Sequence, residues 1–148
     1  MNNRRKFMFA MIGMMMSGTA IAAEPTLATV YLNPTGGCCG AWMDHLRANG
    51  FRVKSVSVED TAVMRKRLGI PEKLGGCHTA VIEGYAIEGH VPAREIKRLL
   101  TEKPVATGLA VPGMPQGSPG MESAKPQPYE VLLVDKNGRH SVYARYGR

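Results

Sequence analysis

Two adjacent cysteines, Cys38 and Cys39, stand where a strand-like run gives way to a helical one, and this junction limits the fold more tightly than any other stretch. Ala28 to Leu32 leads in as a strand. Pro34, Gly36 and Gly37 supply a tight turn, after which Ala41, Trp42, Met43 and Leu46 recur at helical spacing until Gly50 stops the helix. The thiols therefore belong to the start of a helix in a strand-turn-helix unit. Free backbone N–H groups at such a start favour negative charge, which lowers a thiol's pKa and raises its thiolate fraction. Thiolate is the form that binds metals or attacks disulfides.

The remaining pattern extends this unit. Phe51, Val53, Val56 and Val58 predict a second strand, and Asp60 caps a short helix through Leu68, closed by Gly69 and Pro71. Thr79 to Ile82 and Tyr85 to Glu88 flank Gly84 as a hairpin, and Pro92 opens a helix with Ile96, Leu99 and Leu100 as its buried stripe. The order β-α-β-α-β-β-α resembles the thioredoxin architecture. In such a domain the loop entering the third strand runs beside the first strand-helix turn, which would bring Cys77 and His78 close to Cys38 and Cys39. From Pro104 to Pro128 the chain turns rich in Pro and Gly without periodicity, predicting a long loop that carries Met114 and Met121. Tyr129 to Val134 and Val142 to Tyr146, around Asn137-Gly138, predict a closing hairpin. The expected fold is a single thioredoxin-like α/β domain: a central mixed sheet, flanking helices and a C-terminal hairpin.

Residues 1–23 are set apart. Arg4, Arg5 and Lys6 precede an apolar run from Phe7 to about Met16, followed by small residues ending in Ala22-Ala23, the pattern of a secretory signal peptide. The expected mature domain spans 24–148, is exported to the periplasm, and contains no apolar stretch long enough for a membrane span. Loss of Arg4, Arg5 and Lys6 lowers the formal net charge from +7 to +4. The remaining basic residues are scattered among acids with few aromatics between them, so the chain shows no nucleic-acid footprint. About 125 residues suffice for one domain with a real core.

Export makes the three cysteines informative, because oxidising compartments favour even numbers. Adjacent Cα atoms lie about 3.8 Å apart, below the usual disulfide range, so Cys38 and Cys39 do not bridge each other without strain. At most one ordinary bridge to Cys77 forms, and a thiol stays free. Thiolate and thioether ligands select copper(I), which two or three sulfurs satisfy; zinc asks for a fourth ligand, with His78 the nearest. The candidate metal ligands are Cys38, Cys39 and Cys77, then His78, Met114 and Met121. Copper(I) is the expected metal, with zinc the weaker fit. Trp42 reads as core. His45, seven residues after Cys38, lies roughly 10 Å along the helix axis and reads as a packed or supporting histidine. His90 reads as a helix cap and His140 as a solvated residue. Disulfide exchange is the alternative use of the thiols, although its usual motif separates two cysteines by two residues.

The runs GGCCGAWMDHL, GGCHTAVIEGYAIEGHVPAREIKRLL, GLAVPGMPQGSPGME and YEVLLVD together resemble the small exported metal-binding proteins that include the CopG-type copper-resistance proteins of bacteria. The match runs in order over nearly all of the mature chain. It implies a thioredoxin-like fold, periplasmic copper handling with other copper-handling proteins as partners, and copper held by clustered cysteines and cycled between oxidation states. One departure stands out: the family's first motif reads Cys-Gly-Cys-Cys, and here Gly36 occupies the first position. A missing thiolate means fewer or weaker coppers and no non-vicinal redox pair within the loop. Two further readings stay open, a thiol-disulfide or copper oxidoreductase, and a degenerate interaction module that has lost its metal.

Overall fold

The computed structural model describes residues 23–147, so the leader expected over 1–23 lies outside the described residues, Ala23 excepted. Strand β1 (Leu27–Leu32) buries alternate residues, Ala28, Val30 and Leu32. Helix α1 (Gly37–Ala48) turns Cys39, Trp42 and Leu46 inward at spacings of three and four residues, and Gly50 at φ +87° reverses the chain. Full burial of Trp42 and Leu46 contributes about 2–3 kcal/mol each before entropy is counted. Strand β2 (Arg52–Ser57) then pairs parallel with β1. Helix α2 (Thr61–Arg67) starts at Asp60, whose carboxylate accepts the Ala62 N–H at 2.8 Å. A short 3₁₀ turn (Glu72–Leu74) leads into β3 (His78–Ile82), antiparallel to β1. Strand β4 (Tyr85–Glu88) folds back through Gly84, and α3 (Ala93–Glu102) buries Ala93, Ile96 and Leu99, with Leu100 half-buried.

The segment expected as one loop from Pro104 to Pro128 differs. Gly108–Ala110 forms β5, parallel to β4 and buried in mid-sheet. Three residues are too few to display a period. Gly108 is required there, since a Cβ would lie 1.7 Å from the Ala86 carbonyl oxygen. Strands β6 (Tyr129–Val134) and β7 (His140–Tyr146) complete the sheet as the expected hairpin. Among the described residues seven strands make one mixed sheet, ordered β2-β1-β3-β4-β5-β6-β7. This is the expected α/β domain, and apart from the 3₁₀ turn its elements run β-α-β-α-β-β-α, followed by β5 and then the hairpin. No described helix is long and apolar enough to cross a membrane.

Successive strand residues face opposite sides of the sheet. Ala80, Ile82, Ile87 and Leu109 pack with Trp42, Leu46, Ile96 and Leu99 on one face, beneath α1 and α3. Ala86, Ala110, Leu132 and Val134 pack with Ile70 and Leu74 on the other. The alternation assigns His78 to the first face and the register partners Thr79 and Glu88 to the second.

After β5 the chain crosses the α1 face as a strap, pinned by backbone bonds from Val111 N–H to Glu88 O and from Gly113 N–H to Gly75 O. Gly120, at φ +84°, lies so close to α1 that a Cβ would be 2.7 Å from the Trp42 nitrogen.

Candidate metal centre

Cys38 and Cys39 occupy the first turn of α1, one helical step apart. Cys39 points into the core with Trp42 and Leu46, whereas Cys38 is half-buried and faces the rim. Opposite them, β1 and β3 pair Leu32 with His78, so the residue entering β3, Cys77, comes up beside the α1 turn. Its Sγ lies 3.4 Å from Cys38 Sγ and 3.6 Å from Cys39 Sγ. The three sulfurs meet as the β-α-β order predicts.

Cys77 Sγ is also 3.2 Å from His78 Nδ1 and 3.0 Å from His90 Nε2. His90 follows β4 and is fully buried; its Nδ1 sits 2.7 Å from the Pro119 carbonyl on the strap. A carbonyl only accepts, so Nδ1 carries the proton and the Nε2 lone pair is aimed at Cys77. Burial pushes the His90 pKa down, favouring the neutral ring. His78 is equally buried, tilted against Trp42 at 4.3 Å between ring centroids, and its Nε2 has no hydrogen-bond partner among the described residues. Trp42 Nε1–H donates to Val91 O at 2.9 Å, which fixes the segment carrying His90.

Met114 reaches the cluster from the strap: its Sδ stands 3.8 Å from Cys38 Sγ, and the residue is half exposed. Five of the six expected ligands are thus brought together. Met121 is the sixth, and among the described residues it shares no hydrogen bond with the other donors; its backbone closes turns with Gly117 and Ser118 instead. His45 takes a supporting place, its Nε2 accepting the Ala93 N–H at the start of α3 at 3.0 Å, and burial lowers its pKa. His140 is exposed at the start of β7. The residue that sequence reasoning missed is His90. It does not cap α3 as its place ahead of Pro92 suggests: Pro92 is the N-cap, without a side-chain bond, and the His90 ring turns to Cys77 and Pro119, 13 and 29 residues away.

The donors form two groups that share one atom. Cys38, Cys39 and Cys77 make the first and Cys77, His78 and His90 the second, with ligand atoms in each group within 4.8 Å of one another. The cluster also holds a thiolate. An S–H bond from Cys77, followed by the influence of His78, lowers the Cys39 pKa from 9.0 to about 4. The same bond, with burial, pushes the Cys77 thiol up, so the pair shares one proton over a wide range.

Comparison with known proteins adds three findings. Residues 74–121, which include Cys77, His78, His90 and Met114, match the family described as "Protein of unknown function, DUF411". Two solved structures are similar over most of the chain. "Copper resistance protein copG- Form 2" shares 44% identity at a TM-score of 0.80, covering 84% of this chain and 100% of its own. "Copper resistance protein copG- Form 1" shares 44% identity at 0.79, covering 83% and 98%. None of the curated proteins matches the chain.

Proposed function

The chain belongs to the family of the CopG copper-resistance protein, and from that premise we propose that it is a periplasmic copper(I)-binding protein acting in copper resistance. The observation that carries this reading is the surroundings of Cys77. One thiol, with a single proton to give, faces two sulfurs and two imidazole nitrogens at 3.0 to 3.6 Å. More lone pairs converge than one proton can serve. A soft cation can take up these lone pairs, and three sulfurs beside two imidazoles offer the soft donors that select copper(I). The orphaned Nε2 of His78 and the single tautomer of His90 support the same reading.

Cys38, Cys39 and Cys77 are the proposed primary ligands, with His78, His90 and Met114 as further donors. Copper arrives at the rim, where Cys38 and Met114 are accessible, and passes inward by exchange between neighbouring sulfurs. A partner with sulfur ligands removes it by the reverse path without releasing it to water. The basic, apolar, then small-residue order of 1–23 supports export to the periplasm.

An anaerobic titration of the reduced mature chain with copper(I), against a competing chelator, tests the reading. Tight binding that is lost in Cys77→Ala is the expected result. Weak binding by a folded protein overturns it in favour of an interaction module without metal. A second reading, a thiol or copper oxidoreductase, draws on the 3.4 Å between Cys38 Sγ and Cys77 Sγ, from which a small movement reaches the S–S bond length of about 2.05 Å. A reversible Cys38–Cys77 disulfide with a measurable potential is its test.

A further inference from the structure

On the opposite face of the sheet from the sulfurs lies a buried ion pair that the copper reading does not use. The side chains of Arg65 on α2 and Glu88 on β4 are 6% and 0% exposed. Replacing such a pair by apolar residues of similar volume is often neutral or stabilising, so its presence is weak evidence for a role in stability. What these two groups bind is more specific.

Glu88 Oε1 accepts from Arg65 Nε at 2.9 Å and from the Gly76 backbone N–H at 2.7 Å, while Oε2 accepts from the Thr79 hydroxyl. Arg65 also donates to the Gly76 carbonyl at 3.1 Å and to Glu72 at 2.9 Å. Gly76 immediately precedes Cys77, and Thr79 immediately follows His78. One carboxylate therefore holds both ends of the Cys77-His78 dipeptide. The guanidinium lies flat enough on Gly75 that a Cβ there would come within 2.7 Å of Arg65 Cζ. A Cβ on Gly76 would lie 2.7 Å from the Cα of Gly89, next to His90. Gly75 in turn accepts the Gly113 N–H at 2.9 Å, next to Met114. The contacts at Gly76, Thr79, Gly89 and Gly113 each end one residue from a proposed ligand.

We propose that Arg65 and Glu88 are positioning residues for the metal ligands Cys77 and His78, acting through the Gly76 backbone and the Thr79 hydroxyl from the far side of the sheet. The proposal rests on the copper reading above and adds the device that holds its central ligands in place. Groups that orient metal ligands typically change affinity by 10–100-fold when removed. Arg65 and Glu88 do so without approaching the metal.

The test uses the full mature chain, unsubstituted and as Arg65→Lys and the double variant Arg65→Met with Glu88→Leu. Three quantities are read: thermal unfolding, the alkylation rate of each cysteine by iodoacetamide in the reduced metal-free protein, and copper(I) affinity by chelator competition. In a folded double variant, Cys77 alkylates faster while Cys38 is unchanged, and affinity falls roughly 10–100-fold. A folded double variant with unchanged Cys77 alkylation and affinity overturns the proposal. Should the double variant not fold, Arg65→Lys decides. It keeps the charge but loses the fork that reaches Gly76 O, so faster Cys77 alkylation and weaker binding support the proposal, and unchanged values overturn it. Failure of the unsubstituted protein to bind copper overturns the copper reading, and the alkylation comparison then decides the positioning role alone.

Discussion

Cys39 and Cys38 are neighbours in the chain with different tasks. Cys39 is buried against the core and carries the thiolate, so Cys39→Ser should abolish copper(I) binding, read by chelator competition, while circular dichroism shows the fold intact. The thiolate has a pH signature. In the unfolded chain Cys39 holds its proton up to its ordinary range near 9.0, whereas in the folded protein it gives it up near pH 4. Between these values the unfolded state binds more protons, so stability of the reduced metal-free protein rises with pH. Above pH 9 the raised Cys77 reverses the sign, because the folded state keeps a proton that the unfolded state loses. Denaturant unfolding across the pH range checks both limbs, and ultraviolet thiolate absorbance in the native protein should disappear as pH falls through about 4. Gly36 offers a third residue-scale test. Its backbone, at φ −87° and ψ 102°, accepts a side chain, and a Cβ there would stand 3.3 Å from Cys39 Sγ. Gly36→Cys should therefore add a fourth thiolate and raise copper stoichiometry or affinity in the same titration.

At the scale of elements, the strap shows what the sequence conveyed and what it hid. Pro and Gly without periodicity identified a long connection, and Met114 within it was a candidate ligand. The short strand β5 at its start was hidden because its three residues are defined by neighbours on both sides, β4 and β6, rather than by their own pattern. His90 was hidden for a similar reason, since its tautomer is set by the strap carbonyl of Pro119. Arg65 and Glu88 carry no sequence signal of their pairing, which forms only between α2 and β4 and buries both. By contrast, the meeting of Cys77 with the vicinal pair was legible, because strand order alone brings the start of β3 to the α1 turn. Docking of the strap depends on Gly120. Gly120→Ala should destabilise the protein by about 1–3 kcal/mol, through a left-handed backbone conformation and a clash with Trp42, as measured by denaturant unfolding. It should also increase proteolysis within 111–128.

For the whole molecule, the proposed ligands come from four separate parts of the chain: the first turn of α1, the start of β3, the segment between β4 and α3, and the strap. A metal that bridges them joins elements distant in sequence. Since only the folded state gathers these donors, binding stabilises by mass action, about 2.7 kcal/mol at a free copper(I) concentration one hundred times the Kd. Calorimetry with increasing copper(I), and again after removal by a chelator, should show the melting temperature rise and return.

The contact between Trp42 and His78 carries a last consequence. Trp42 is the one tryptophan in the chain, and its ring lies 4.3 Å from that of His78. The protein therefore contains its own optical gauge: a single tryptophan, sealed from solvent, touching one of the proposed metal donors. Tryptophan emission should then change in proportion to the fraction of protein loaded, without label or engineered reporter.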